Sequence, residues 1–197
     1  MSHLFQIRVW DPLMRFIHWS LVSAFIIAFI TQDDLLSLHT QAGYLILILI
    51  SIRFIWGFVG THYARFAEFI YSPEVIIQFL KETMHGKAKR YLGHNPAGGA
   101  MIILLLISLF ITSISGILVL GAEEQAGPAA LWFNQPGGFW GESLEEVHEF
   151  FANFTLLLVF MHVLGVIVES LIHKENLVSA MFTGFKSNKL SHTKEKT

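Results

Sequence analysis

The chain has 197 residues, 53% hydrophobic and only 14% charged, with a mean hydropathy of +0.55 and a formal charge of −2. A soluble domain carries about 25% charged residues, so the balance points to a membrane protein of one domain over 1–197 and to no nucleic-acid partner. The lack of cysteine excludes disulfides, thiolate-held iron–sulfur clusters and covalent c-type haem, which needs C-x-x-C-H.

Four apolar stretches predict an all-α membrane protein, a bundle of four transmembrane helices over about 12–31, 38–59, 96–120 and 144–173. Each reaches the roughly 20 residues needed to cross a bilayer. Asp11-Pro12 is a cap-and-proline start for the first. No A-x-A-like cleavage site follows that stretch, so it is expected to be retained. Between the second and third spans, Ser72-Pro73-Glu74 introduces a short amphipathic helix for the cytoplasmic membrane surface, with Gly86 ending it. The segment 121–143 is rich in Gly, Pro and aromatics, including Trp132, Phe139 and Trp140, residues common at the headgroup level. Residues 185–197 are basic and polar and are expected to form a mobile cytoplasmic tail.

Charge is segregated along the chain. All 13 Lys and Arg fall near the start of the first span, late in the second, between the second and third, and after the fourth. The connections 32–38 and 121–147 contain none, but carry Asp33, Asp34, Glu123, Glu124, Glu142, Glu145 and Glu146. Lys and Arg accumulate on the cytoplasmic side. The expected topology is therefore a multi-pass protein of the bacterial inner membrane, with both termini cytoplasmic and the acidic connections outside.

Four of the ten histidines, His18, His39, His148 and His162, lie in these spans. His148 and His162 are 14 residues apart, close to four helical turns, so both project from nearly one face about 21 Å apart along the axis. Imidazole within a membrane is costly unless it has a partner or a task. Depth decides the pairing. His39 and His148 both stand near the outer ends of their helices. His18 and His162 lie roughly 9 Å and 15–18 Å from the inner face by helix rise. The expectation is two non-covalent b haems, an outer one on His39 and His148 and an inner one on His18 and His162, each iron held by two imidazoles.

Gly43 and Gly165 follow ligands by four and three residues, and bare backbone there lets a porphyrin approach closely. Close helix packing is the other use of small residues in membranes. Arg53 is again 14 residues from His39, at the level of the inner haem, and suits a propionate because Arg binds carboxylates bidentately. Arg15, one turn before His18, suits a propionate in the same way, and for either arginine the other reading is a side chain reaching to lipid phosphates.

Val9-Trp10-Asp11-Pro12, Arg15-Phe16-Ile17-His18-Trp19, His39 with Gly43, Arg53-Phe54-Ile55-Trp56-Gly57, Gly93-His94-Asn95-Pro96-Ala97-Gly98-Gly99 and the His148-to-His162 segment together resemble the bacterial di-haem b-type cytochromes. That family includes cytochrome b-561 and the membrane subunits of nickel–iron hydrogenases. The resemblance covers nearly the whole chain and implies a four-helix core with haem ligands at the same four histidines. The short first outer connection looks like the smaller members, often paired with a c-type cytochrome. His94 belongs to a motif of the family, with three readings: a cap for the third span, a propionate anchor, or part of a quinone site.

The expected function is electron transfer between the quinone pool and an extracytoplasmic redox partner such as a periplasmic c-type cytochrome, as a subunit rather than an independent enzyme. The acidic outer connections suit a basic partner. The alternative is a stand-alone quinone-linked oxidoreductase acting on a small oxidant such as superoxide. A histidine-based metal transporter is disfavoured, because the first three spans lack buried Asp or Glu.

Overall fold

The computed structural model describes residues 5–32 and 34–188, so Asp33 and the residues from 189 onward, with most of the expected tail, lie outside the described part. Six helices and one small sheet make up the fold: β1 (Phe5–Arg8), α1 (Pro12–Ile30), α2 (Leu36–Val59), α3 (Pro73–Met84), α4 (Pro96–Glu123), α5 (Gly138–His173), α6 (Leu177–Thr183) and β2 (Phe185–Asn188). Four of them, α1, α2, α4 and α5, are long and apolar enough to cross a membrane.

The helix starts follow local chemistry. Asp11 accepts the Met14 amide at 2.9 Å and Pro12 opens α1, while Asn95 accepts the Gly98 amide at 2.6 Å and Pro96 opens α4. In each case the side chain satisfies a first-turn N–H that has no intrahelical partner. The second carboxylate oxygen of Asp11 accepts the Trp56 indole at 3.1 Å and the Thr61 hydroxyl at 2.7 Å. One buried carboxylate thus ties the start of α1 to the end of α2. Ser72 makes no such bond to the backbone of α3.

Helix α5 begins at Gly138, six residues before the expected start, and its 36 residues span about 54 Å. Gly137-Gly138 and Gly141 read as a loop in sequence, yet only the first two have positive φ. Gly141 is helical and packs directly on Glu123, where a Cβ would collide with the carboxylate. His148 consequently lies about three turns into its helix, not in the first turn.

The backbones of α4 and α5 pack closely, as do those of α1 and α2, with α2 also against α4. Ala24, Ile46 and Ile50 form the centre of the α1/α2 contact, joined by Leu106 and Leu109 from α4. Between α4 and α5 the buried hydroxyls of Ser108 and Thr155 meet at 2.6 Å, a polar contact of the kind that holds helices together where lipid is as apolar as leucine. The outward faces stay apolar: Ile30, Phe160 and Leu171 are each more than 70% exposed. In water such a surface would be an aggregation site; in a bilayer it is solvated.

The end of the bundle that carries both chain termini has its own small core of Val9, Trp10 and Ala180. Strand β2 pairs antiparallel with β1, Phe5 opposite Asn188 and Arg8 opposite Phe185. The segment 185–188 is therefore ordered strand, not the beginning of a tail. Arg90 holds it by donating to the Ser187 carbonyl at 2.7 Å while pairing with both Glu175 oxygens at 2.8 and 3.2 Å.

Candidate cofactor site

Helices α1 and α2 approach α5 through imidazole rings. His39 and His148 stand with ring centroids 6.0 Å apart, and His18 and His162 6.4 Å apart. Two imidazoles on opposite sides of one metal, each with a metal–nitrogen bond of about 2.0–2.1 Å and a ring centre about 1.1 Å further back, have centroids about 6.3 Å apart. Both pairs have that separation. Among the described residues no group of three or more His, Asp or Glu forms.

The outer pair is also fixed in tautomer. His39 Nδ1 donates to the Ala28 carbonyl at 2.8 Å, and His148 Nδ1 donates to the Thr112 carbonyl at 3.0 Å with Ser115 Oγ 3.2 Å away. A carbonyl only accepts, so each Nδ1 carries the proton and Nε2 keeps its lone pair for a metal. This is the arrangement a ligating histidine requires.

Room for a flat macrocycle lies beside the rings. A Cβ on Gly43 or Gly165 would meet nothing within 4 Å, so both glycines face open space next to the ligand they follow. Gly116 on α4, which sequence reasoning missed, does the opposite. A Cβ there would sit 2.8 Å from His148 Cε1, so the ring packs against bare backbone. No histidine precedes Gly116 at helical spacing, and only its coincidence with Thr112 and Ser115 could have marked it.

Arg53 is 4% exposed, with both terminal nitrogens lacking a partner. Its guanidinium carbon lies 5.0 Å from the Phe66 ring and 5.9 Å from Phe69. A buried cation with aromatic faces but no acceptor on its terminal nitrogens is incomplete, and a carboxylate completes it. Haem b carries two. Arg15 is placed differently, donating to the Phe182 carbonyl and lining a groove between α1 and α2.

His94 does not cap α4; Asn95 does. Its ring lies 4.7 Å from Trp10 and 4.6 Å from Phe69, with Nδ1 buried and unpaired. Burial first, then the positive charges of Arg53 and Lys186 and the neighbouring His162 and His18, push it down to about 3, so it is neutral. Phe69 packs against both the His94 ring and the Arg53 guanidinium, and His18 and His162 are among the groups that act on His94, so these residues lie at one end of the bundle. His94 also borders a cavity of about 260 Å³ with Tyr63, Tyr71 and Tyr91.

The paired histidines, the glycine spaces and the unpaired arginine coincide with a match to the prokaryotic cytochrome b561 family over residues 9–184. The chain belongs to this family. It is a membrane b-type cytochrome, and the residues present fit haem b. Similar curated proteins include probable Ni/Fe-hydrogenase B-type cytochrome subunits of Rhizobium leguminosarum bv. viciae, 26% identical over 161 residues (75% of this chain, 66% of the relative). The counterpart in Azotobacter vinelandii is 27% identical over 162 residues (75% and 66%), and that of Cupriavidus necator strain H16 is 24% identical over 165 residues (77% and 66%). The chain thus spans just under two thirds of the length of these relatives. No solved structure matches it.

Proposed function

We propose that this cytochrome holds two b haems, one on His39 and His148 and one on His18 and His162, and carries electrons across the membrane between quinone and a redox partner outside. The observation that carries the reading is the pair of imidazole couples at bis-ligand separation, 6.0 and 6.4 Å. Haem b, when bound, supplies a one-electron iron couple. The chain's part is to hold two such groups at different depths, keep water out and set their potentials. Gly43 and Gly165 leave space for the macrocycles, and Arg53 pairs with a propionate of the inner one.

The orientation we propose puts both termini and α3 in the cytoplasm of a bacterial inner membrane, as the Lys/Arg distribution requires. The outer surface then presents exposed Glu124, Glu142, Glu145 and Glu146 beside exposed Trp132 and Trp140. An acidic surface of this kind speeds encounter with a basic partner. A periplasmic c-type cytochrome fits, and so does a hydrogenase of the kind for which the relatives are named; either makes this chain a subunit and not an independent enzyme. His94 and the three tyrosines around its cavity stand at the inner level, where quinone would exchange electrons.

A pyridine haemochrome assay on the purified chain tests the central claim. Two b haems per polypeptide are expected, and one or none defeats the pairing. A C-terminal tag reachable by protease only in opened cells is expected from the orientation; a tag cleaved on intact spheroplasts reverses it.

A further inference from the structure

Between α1 and α2 lies a groove of about 740 Å³ that the electron-transfer reading does not use. Its α1 wall includes Phe16, Ser23 and Ile27, which project roughly 140–180° around the helix from His18, away from the cofactor face. Phe16, Ile27 and Leu45 of the wall are exposed on the surface the bilayer covers. Among the described residues no acidic side chain lines it, and the one ionisable lining residue is Arg15, three residues into α1, at the cytoplasmic end. Trp19, one turn on, stacks on Phe182 of α6 with centroids 4.1 Å apart. Arg15 Nε and Trp19 Nε1 are buried without a hydrogen-bond partner, so the terminal nitrogens of Arg15, one of which donates to the Phe182 carbonyl, are the donors left to meet a ligand in the groove. A guanidinium at the edge of a hydrocarbon phase calls for an acceptor.

We propose that this groove binds one membrane phospholipid, its phosphate on the terminal nitrogens of Arg15 and one acyl chain lying along Ser20, Ser23, Ala24 and Leu45. Three features select this occupant. The lone cation complements a phosphate, whereas an acidic or zwitterionic protein segment would bring charge into an apolar trough. The rise from Arg15 to Ile27, about 18 Å, matches half of a hydrocarbon core of about 30 Å, the depth one acyl chain reaches. In mid-groove the α1 side carries Ser20, Ser23 and Ala24, small residues that leave room for an acyl chain. Assignment to the cytoplasmic leaflet rests on the orientation proposed above; binding itself does not. Of the two readings open to Arg15 in sequence, this is the one its position supports.

The test uses the full chain purified with its haem in mild detergent. Native mass spectrometry is run after incubation with dioleoyl phosphatidylglycerol and, separately, with inorganic phosphate. One tightly held phospholipid is expected, with no displacement by free phosphate. Arg15→Gln is expected to weaken binding at least tenfold. Ser23→Phe, at an exposed position in mid-groove, is expected to do the same while haem content stays at the wild-type value. Equal lipid retention by these variants, or displacement by phosphate alone, overturns the proposal. So does a photo-crosslinker at position 23 that captures a polypeptide in membranes, which would make the groove a helix-docking face. A change in the haem spectrum of Arg15→Gln with lipid retained also overturns it, in favour of a propionate. Because haem content is read in the same samples, failure here is distinguishable from failure of the two-haem reading.

Discussion

His39 on α2 donates its Nδ1 proton to the carbonyl of Ala28 on α1 at 2.8 Å. The bond exists because α1 stops at Ile30. The last carbonyls of a helix lack an i+4 amide; Ala28 instead meets the Thr31 N–H and hydroxyl at 3.4 Å each, long contacts that leave its oxygen able to accept the shorter imidazole bond. A helix end thereby fixes the tautomer and orientation of a ligand on its neighbour. The second ligand of that pair, His148, reaches a carbonyl in mid-helix, that of Thr112 on α4, which also accepts from Ser115, so both outer imidazoles are hydrogen-bonded to backbone.

That asymmetry predicts an order of potentials. An imidazole that donates its second N–H becomes more basic and favours the oxidised iron. No such bond is made by His18 or His162 among the described residues, in contrast to His39 and His148. The outer site is expected to have the lower potential, by about 20–60 mV for each hydrogen bond of ordinary net strength. Potentiometric titration, with the two components assigned by single-histidine variants, reads this directly. Equal potentials or the reverse order would remove the argument.

The two sites are expected to be lost separately. His39→Ala should abolish the low-spin signal of the outer haem, and His18→Ala that of the inner one, since each iron has its own second helix. In either variant the remaining haem should keep its spectrum, because α4 and α5 pack through Ser108 and Thr155 independently of both ligands. If both variants lose the same spectral component, the pairing fails.

Glycine substitutions separate steric roles that sequence alone cannot. Alanine is favoured over glycine by about 1 kcal/mol in a helix interior, so none of these changes should weaken the helices themselves. Gly116→Ala places a methyl 2.8 Å from the His148 ring and should shift or weaken the outer haem. Gly165→Ala meets nothing in the polypeptide, so any loss of inner haem must come from contact with the cofactor. Haem-to-protein ratios after dilution would show the difference; an unchanged ratio in both variants would mean neither glycine shapes a cradle.

Much of this arrangement was legible in the sequence. The four spans, the capped start at Asp11-Pro12 and the spacing of His148 and His162 depend on local chemistry and helical period, which a sequence carries openly. What was hidden depends on tertiary contact. The early start of α5 follows from Gly141 closing on Glu123, and the ordering of residues 185–188 follows from pairing with β1 and from Arg90. The Nδ1 acceptors are backbone carbonyls that any residue would have supplied. Gly116 matters only because His148 lies against it.

His94 gives a pH prediction outside the spans. Burial and the nearby Arg53 and Lys186 hold it down to about 3, against an ordinary value of 6.5. The unfolded chain therefore takes up a proton first as pH falls. The stability this neutral ring contributes is complete above about pH 6.5 and declines progressively toward pH 3. In detergent, the wild type should lose more stability between pH 7 and pH 5 than His94→Phe, which keeps an aromatic ring against Trp10 and Phe69. Parallel pH profiles would count against it.

Arg53 should show effects of opposite sign with and without cofactor. Removing one partner of a buried ion pair costs about 3–5 kcal/mol, so Arg53→Ala should weaken the inner haem roughly 100-fold or more and leave the outer one nearly unchanged. This holds although Arg53 shares α2 with the outer ligand His39, because depth, not helix membership, decides which propionates it reaches. Without haem the same guanidinium is buried with its terminal nitrogens unpaired, and its removal should leave the apo-protein as stable as before or more so. A purely structural arginine, held by the faces of Phe66 and Phe69, would instead destabilise both forms when replaced. Thermal melts of apo and loaded protein for Arg53→Ala, read beside the haem spectrum, decide between the two: a loss in the apo form, or a spectral change confined to the outer site, would show that Arg53 is not the propionate partner.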